Sequence, residues 1–278
     1  MPNNLESGVA AHYGREGLIE VIMEGLRASG AAMEDLTPED LAPVDEFHTA
    51  GRITTLKAFE MMPVAPGMHI LDAGSGIGGT ARCLARDYGC RVTGIDITPE
   101  YVDAARRLTE LMRLAGSCAF HLGSVVDMPF EDGHFDAAIS FHVAMNIEDR
   151  AAFYDELARV LPSGAPLCIF DVMKGPAGGM RYPVPWSETA DTSFLKSRDE
   201  TCDFIERAGF DIVADESLRD FAIDYFRAVF ADIEAAGGPP PLGLHLLTGA
   251  NSPEKFSNYL AACEAHQIEP VIVVASRR

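Results

Sequence analysis

The sequence lacks the patterns that would reveal a metal site, a disulfide framework or a membrane segment. Its six cysteines lie far apart without a CxxC pair, and its eight histidines form no HxH or HxxxH set, so no metal site is expected. The cysteines fall in strand- or helix-like runs, which indicates reduced, buried thiols and a cytoplasmic protein. No run of about 18 apolar residues occurs, and the opening residues MPNNLESGVAAHYG resemble no secretion signal.

Basic residues are scarce as well. Lysine and arginine number 22 against 42 aspartates and glutamates, which gives a formal net charge of −20. Such a field repels phosphate backbones and anionic membranes, so neither nucleic acid nor a membrane surface is expected as a partner. At 278 residues and 47% apolar composition, the chain can form one large domain or a domain with a cap.

Apolar strand-like runs alternate with amphipathic helical stretches through the middle of the chain. Strands are predicted over residues 69–72, 91–96, 118–122, 135–141 and 166–172. The run FDAAISF is nearly continuous in apolar residues, as in a strand that is buried on both faces. This rhythm predicts an α/β fold with a doubly wound, mostly parallel sheet.

Helical segments are predicted on both sides of this alternating region. Residues 1–64 are expected to form an N-terminal helical segment, with helices over 15–28 and about 49–62. TPED at 37–40 has the pattern of a helix cap followed by a proline at the first helical position. The amphipathic stretch 15–28 could pack on a second subunit, so a homo-oligomer is one expected arrangement.

The strand–helix rhythm breaks after residue 172. A Gly- and Pro-rich loop covers 174–197, and about 55 residues separate a strand at 210–214 from the final strand at 270–276. Connections in compact domains are usually far shorter. We therefore expect a core formed by 65–215 and 269–278, with 216–268 inserted as a helical cap.

The stretch ILDAGSGIGG (70–79) carries the main chemical signal. Its glycines, Gly74-x-Gly76-x-x-Gly79, fit both the dinucleotide fingerprint of dehydrogenases and the loop that holds S-adenosylmethionine (SAM). Asp72 would place negative charge beside a pyrophosphate, whereas it suits the sulfonium and ammonium of SAM. Asp96, at the end of the next strand, can accept the ribose hydroxyls of either cofactor and does not distinguish them.

Four segments in order, LDAGSGIGG, VTGID, DMPFEDGHFD and LARVLPSGAPLCIFDVM, resemble class I SAM-dependent methyltransferases. The resemblance covers about residues 65–175. It implies SAM as cofactor and a seven-stranded sheet in the order 3-2-1-4-5-7-6, with strand 7 antiparallel. An NAD(P)-dependent oxidoreductase remains a remote alternative, because such an enzyme would normally open with its glycine loop.

A narrower resemblance extends over nearly the whole chain. HYGREGLIEVIMEGLRASG, HVAMNIEDR, YPVPW and LGLHLLTGANSPEKFSNYL resemble bacterial sarcosine/dimethylglycine N-methyltransferase-like proteins and related quinone and natural-product methyltransferases. The acceptor implied is a small molecule. It is either an amine of the sarcosine/dimethylglycine type or a carbon or oxygen nucleophile on a natural product or quinone-like ring.

The family resemblance implies a set of cofactor-binding residues. Asp72, Gly74, Gly76 and Gly78 match the loop around the methionine part of SAM, and Asp96 matches the ribose-binding acid. Ile97 is expected on the adenine face. Ser124 and Val125 stand where the family often has Asp-Ala near the adenine, and the alternative for Ser124 is a solvated loop serine.

The residues after the fourth strand are expected beside the transferred methyl group, because the carboxyl ends of parallel strands line the ligand crevice. Phe141 lies there with His142, which is predicted to be a general base or a substrate-positioning residue. The alternative for His142 is a packed histidine. Asn146 is either a substrate contact or, slightly favoured, a helix cap.

Further acceptor-site candidates come from the N-terminal segment and from the loop 174–197. In relatives the N-terminal segment folds over the SAM pocket, which makes Tyr13, Phe47, His48 and Arg52 candidates. Arg52 could meet a carboxylate, or it could be an ordinary surface arginine. Trp186 could line the acceptor pocket or simply anchor its loop by packing.

Overall fold

The computed structural model describes residues 4–278, with side chains from residue 6 onward. One seven-stranded sheet in the order β3-β2-β1-β4-β5-β7-β6 forms its centre. Strand β7 is antiparallel to both of its neighbours, and all other pairs are parallel. The strands are β1 (His69–Ala73), β2 (Arg91–Asp96), β3 (Cys118–Leu122), β4 (Ala137–Phe141), β5 (Pro166–Lys174), β6 (Phe210–Ser217) and β7 (Ile268–Arg277). The expected fold class and strand order are confirmed.

Helices precede, flank and follow this sheet. Before β1 lie α1 (Asn4–Tyr13), α2 (Leu18–Ala28), α3 (Pro38–Asp45) and α4 (Arg52–Met61). Between the strands lie α5 (Gly79–Asp87), α6 (Pro99–Leu111), α7 (Arg150–Val160) and α8 (Arg198–Arg207). Between β6 and β7 lie α9 (Arg219–Ala236), α10 (His245–Thr248) and α11 (Ser252–Glu264). The sequence patterns predicted most of these helices, but not α1 or α10.

The apolar runs of the central strands are buried because helices cover both faces of the sheet. Successive residues of a strand point to opposite faces. Ile139 of β4 packs in one apolar layer with Ile272 of β7, whereas Ala138 packs in the other with Val273. This explains why β4 shows no alternation of polar and apolar residues.

Local capping sets where several helices begin. Thr37 accepts a hydrogen bond from the backbone of Asp40, whose carboxylate accepts from the backbone of Thr37, and together they form the predicted cap of α3. Asp149 caps α7 by accepting from the N–H of Ala152 at 3.0 Å. Asn146, the favoured cap in the sequence, therefore does not cap this helix.

Two smaller apolar clusters join the outer helices to the carboxyl ends of the strands. In one, Leu26 of α2 packs with Tyr101 of α6 and Leu247 of α10. In the other, Trp186 packs with Phe226 of α9 and Tyr259 of α11. Within residues 4–278, no helix is long and apolar enough to cross a membrane.

Candidate active site

A single deep cavity opens at the carboxyl ends of β1, β2 and β4. It runs from the glycine loop after β1 to the residues that follow β4, and the outer helices close its far end. Of the residues predicted for the site, the cavity is lined by Tyr13, His48, Asp72, Gly74, Gly76, Asp96, Ile97, Ser124, Val125, Phe141, His142, Asn146 and Trp186. Phe47 lines it as well. Gly78 and Arg52 do not line it.

The glycine loop forms the floor of the cavity. Gly74 has φ +85°, and a Cβ at this position would overlap the side chain of Val143. Gly76 has φ +53° and lies directly on the cavity wall. Gly78, at φ +86°, precedes α5 and shapes the turn from outside the cavity. The loop therefore needs glycines both for its left-handed turns and for close backbone approach.

Asp96 fastens this loop to the end of β2. Its Oδ2 accepts a hydrogen bond from the N–H of Gly76 at 2.8 Å, and its Oδ1 accepts from the N–H of Thr98 at 2.9 Å. A carboxylate has about four acceptor positions. The Ile97 N–H and the Thr98 side chain also act on this carboxylate, which faces the cavity beside Ile97, where a ribose hydroxyl could meet it.

Four buried polar atoms without partners point to a polar ligand. Oδ2 of Asp45, Oδ2 of Asp72, Oγ of Ser75 and the hydroxyl of Tyr101 form no hydrogen bond within the described chain, and all four residues line the cavity. Burial, with the nearby charges of Asp96 and Glu46, raises the pKa of Asp72 to about 7. Buried polar groups normally have partners. A cationic group beside Asp72 would supply one and would favour the ionised carboxylate.

At the end of the cavity lined by Ser124 and Val125, the serine is not a solvated loop residue. The hydroxyl of Ser124 donates to the carboxylate of Glu6 in α1 and accepts from the N–H of Val126 at 3.2 Å. Val125 lines the cavity beside it. The N-terminal helix thus reaches this end of the site through Ser124.

His142 lies at the opposite end, directly after β4. Its backbone N–H donates to the carbonyl of Phe170 at 2.6 Å, and its φ is +55°. The ring lies 5.9 Å from that of His48, centroid to centroid. Burial lowers the pKa of His48 to about 4. Burial and the neighbouring His48 hold the pKa of His142 well below its usual value. Both imidazoles are therefore neutral at physiological pH.

Tyr13 and Asn146 meet at the cavity, where the Tyr13 ring lies 5.8 Å from that of Tyr101. The Tyr13 hydroxyl donates to Oδ1 of Asn146 at 2.8 Å. The amide nitrogen of Asn146 donates to the carbonyls of Trp186 and Thr192, both at 2.9 Å. Asn146 is thus a cross-link between three segments.

Trp186 and Arg52 differ in what they contact. Trp186 is buried, its indole N–H donates to Oγ of Ser193 at 2.9 Å, and it both packs in a core cluster and lines the cavity. Arg52 instead pairs with Glu46 at 2.5 Å and lies 3.7 Å from Asp87. Its Nε and Nη1 face these carboxylates, whereas its buried Nη2 has no hydrogen-bond partner among the described residues. Because Arg52 does not line the cavity, its predicted contact with a ligand carboxylate gains no support from its position.

Sequence motifs did not reveal several residues of the acceptor end. Thr49, Phe226, Phe256 and Tyr259 line it, and three of them come from α9 and α11. Apolar residues in these helices follow ordinary helical spacing, so the family-like segment that includes Phe256 and Tyr259 did not mark them as cavity residues. Among the described residues that line the cavity, none is a lysine or an arginine.

Comparisons with known proteins match this arrangement. Residues 71–169 match the family model described as a methyltransferase domain. A stretch of 101 residues is 39% identical to ajmaline N-methyltransferase of Rauvolfia serpentina and covers 36% of this chain and 35% of that protein. A stretch of 106 residues is 41% identical to 2-methyl-6-phytyl-1,4-hydroquinone methyltransferase of a Synechocystis strain and covers 38% and 32%. The chain thus spans about a third of the length of these two relatives.

A solved structure extends the similarity to the whole fold. The geranyl diphosphate C-methyltransferase of Streptomyces coelicolor A3(2) aligns with a TM-score of 0.73 at 16% identity, covering 99% of this chain and 98% of that one. At this identity the match concerns the fold, including the helices outside the sheet.

Proposed function

We propose that this chain is a class I SAM-dependent methyltransferase that methylates a small apolar acceptor. Its residues 71–169 match a methyltransferase domain. One observation carries the proposal. A single cavity joins the unpartnered polar atoms around the glycine loop to an aromatic compartment that has no lysine or arginine among its described residues.

The residues of the floor fit SAM. Asp72, Ser75 and Tyr101 would hold its amino-acid end, and Asp96 would hold its ribose. When bound, SAM supplies a methyl group on a positively charged sulfur. This chain has no need to protonate the leaving group, because the sulfur departs neutral, so its task is to align the acceptor and exclude water.

The far compartment of the cavity, away from the glycine loop, has aromatic and aliphatic walls that can align an acceptor and exclude water. Its walls include Met145, Trp186, Phe226, Leu247 and Phe256. These side chains come from the turn after β4, from the loop 174–197 and from the segment between β6 and β7. We therefore propose that residues 216–268 act as a cap that shapes the acceptor pocket.

The absence of basic residues argues against an amino-acid acceptor. Sarcosine and dimethylglycine carry a carboxylate that would be buried among the aromatic and aliphatic side chains of the far compartment, where no lysine or arginine pairs with it. The carboxylate of SAM would instead lie at the other end of the cavity, beside the N-terminus of α5, which favours anions. A carbon or oxygen nucleophile on a quinone-like or natural-product ring fits better, as in the hydroquinone relative.

An amine without a carboxylate is the second candidate. Neutral His48 and His142 would not repel it, and the acidic lining would tolerate a charge on it. The ajmaline relative is named for such a methylation. An oxidoreductase has no comparable support, because Asp72 would face the pyrophosphate of a dinucleotide.

The test is methyl transfer from SAM labelled in its methyl group. Three neutral aromatic probes, 1-naphthol, 1,4-naphthohydroquinone and 1-naphthylamine, are compared with dimethylglycine. We expect label in at least one aromatic probe and none in dimethylglycine. Label in dimethylglycine alone would overturn the proposed acceptor class, and no binding of S-adenosylhomocysteine by calorimetry would overturn the cofactor assignment.

A further inference from the structure

A chain of hydrogen bonds ends on His142 at the acceptor compartment. Oγ1 of Thr49 lies 2.6 Å from the hydroxyl of Tyr259 and 3.4 Å from Nε2 of His142. The backbone N–H of Thr49 also points at Nε2, at 3.4 Å. The three residues come from the turn before α4, from α11 and from the end of β4, and all three line the cavity.

The donor groups indicate which way these hydrogen bonds run. A backbone N–H can only donate, so Nε2 of His142 accepts from Thr49. Burial raises the pKa of Tyr259 well above its usual value, so its hydroxyl keeps its proton and can donate to Oγ1 of Thr49. The Thr49 hydroxyl is then free to donate to the same Nε2. The backbone N–H of Thr49 thus favours the imidazole with its proton on Nδ1, and the Thr49 hydroxyl adds to this when Tyr259 donates to it rather than to Cys263.

No described neighbour of the His142 ring favours the tautomer with its proton on Nε2. Nδ1 of His142 forms no hydrogen bond within residues 6–278, and it is not among the buried atoms left without a partner. The neighbouring His48 is engaged by Thr54 and Thr55. Glu46, whose Oε2 lies 3.6 Å from Nε2 of His48, is paired with Arg52, and buried Asp171 accepts from the N–H of Val143.

The backbone supports a specific role for His142. A non-glycine residue at φ +55° is uncommon, and such strain often occurs at functional sites. Here the strained residue directs a neutral imidazole into the cavity, where its free Nδ1–H can meet a ligand.

We propose that His142 donates its Nδ1–H to an oxygen of the acceptor, and that the acceptor is an acidic enol or phenol bound as its delocalised oxyanion. This inference rests on the proposed function. The acceptor loses its proton to water before it binds. Its carbon or oxygen lone pair then forms the bond to the methyl group while the C–S bond breaks with its electron pair left on sulfur, and His142 keeps its proton throughout.

Such an acceptor needs less positive charge around it than a carboxylate does. A carboxylate concentrates its charge on two oxygens, whereas an enolate or phenolate spreads it over a ring. One hydrogen-bond donor and the neighbouring sulfonium can therefore balance it without a lysine. Donors aimed at an oxyanion in a site that excludes water are worth about 10²–10³-fold in rate.

The tautomer can be measured without any acceptor. The whole protein, labelled with ¹⁵N-histidine and saturated with S-adenosylhomocysteine, is observed by NMR, and the His142→Asn variant identifies the His142 signals. We expect a neutral ring protonated on Nδ1, and a larger share of the other tautomer in Thr49→Val and Tyr259→Phe. A ring protonated on Nε2, or a charged ring, overturns the inference whatever the enzyme methylates.

A kinetic comparison separates a donor from a base. Asparagine can place an N–H near the position of Nδ1 and tolerates positive φ, but it cannot act as a base. With 2-hydroxy-1,4-naphthoquinone as probe, we expect His142→Asn to keep kcat within about tenfold of the wild type and His142→Ala to lose about 10²–10³-fold. Equal loss in both variants, with unchanged melting temperatures, would overturn the donor role.

Tyr225→Phe is the control for the Tyr259→Phe variant. Tyr225→Phe also removes a partly buried hydroxyl, but Tyr225 lies outside the cavity and forms no hydrogen bond within residues 6–278. We expect it to leave kcat and the His142 tautomer unchanged, whereas Tyr259→Phe changes both. If the wild-type enzyme binds S-adenosylhomocysteine but methylates no enol, phenol or amine, the proposed function fails while the NMR result still decides the tautomer.

Discussion

The hydroxyl of Tyr13 donates a hydrogen bond to Oδ1 of Asn146, 133 positions away in the chain, at 2.8 Å. The amide nitrogen of Asn146 also donates to the carbonyls of Trp186 and Thr192. One side chain thereby ties α1, the turn after β4 and the loop 174–197 together over the cavity.

Tyr13→Phe tests this tie. The change leaves Oδ1 of Asn146 without a partner, which costs about 1–3 kcal/mol when the atom is buried. We expect a lower melting temperature and a higher KM for SAM, because Tyr13 lines the cavity. Tyr225→Phe, measured by the same calorimetry and kinetics, should show neither change; equal effects in the two variants would contradict the role of the Tyr13–Asn146 bond.

Gly74→Ala tests the close approach of the glycine loop to the end of β4. Gly74 and Gly164 have the same φ of +85°, but only at Gly74 would a Cβ overlap another side chain, that of Val143. Left-handed backbone costs an alanine roughly 1–2 kcal/mol at either site. We expect Gly74→Ala to lose about 1–3 kcal/mol more in free energy of unfolding than Gly164→Ala, because it adds overpacking.

Chemical denaturation of both variants measures that difference, and calorimetry with S-adenosylhomocysteine measures cofactor binding. Gly164→Ala should bind normally and Gly74→Ala should not. Similar stability and binding in the two variants would show that the loop tolerates a side chain at Gly74.

The pKa of Asp72 predicts how SAM binding depends on pH. Burial raises this pKa to about 7 in the protein without cofactor, so the carboxyl is mostly neutral below that pH and ionises as the pH rises. Only the ionised form attracts a cation. We therefore expect the affinity for SAM to rise about tenfold between about pH 5.5 and pH 7, where the ligand's own amine stays mostly protonated.

Asp72→Asn should bind SAM more weakly and with little pH dependence over that range. Glu148→Gln is the control, because Glu148 lines the cavity but is exposed. It should keep the wild-type pH profile in the same titrations. A wild-type affinity that stays flat or falls as the pH rises would contradict the assignment of Asp72.

Asp96 is predicted to bind ribose and to hold the loop. Asp96→Ala removes the acceptors for the N–H groups of Gly76 and Thr98 together with the carboxylate that faces the cavity. We expect at least a tenfold loss in SAM affinity, since each hydrogen bond to a charged group is worth about 1.5–3 kcal/mol. Asp96→Asn keeps one acceptor oxygen and should fall between Asp96→Ala and the wild type. An unchanged Kd in Asp96→Ala would contradict the assignment.

The sheet and the cofactor half of the site could be predicted because their signals are local. Apolar runs mark each strand, and Asp72, Gly74 and Asp96 lie at strand ends that the parallel order brings together. The acceptor half depends on long-range packing instead. Thr49 and Tyr259 meet across 210 positions, and the family resemblance of the segment that contains Tyr259 did not indicate this contact.

Individual side chains show the same division. The cap of α3 at Thr37 needs only neighbouring residues and was predicted correctly. Asn146 was expected to cap α7, but Asp149 is closer to the helix start and takes that role, which leaves Asn146 free to bond distant segments. Arg52 was expected at a ligand carboxylate, but Glu46 competes for it from six residues away.

The most direct test of the account is a crystal structure of the protein with S-adenosylhomocysteine. We predict adenosine hydroxyls on Asp96, the amino group beside Asp72, and the sulfur facing the compartment that holds His142 and Phe141. A ligand bound elsewhere, or one whose sulfur faces away from His142, would contradict the placement of the acceptor site on which the proposed chemistry depends.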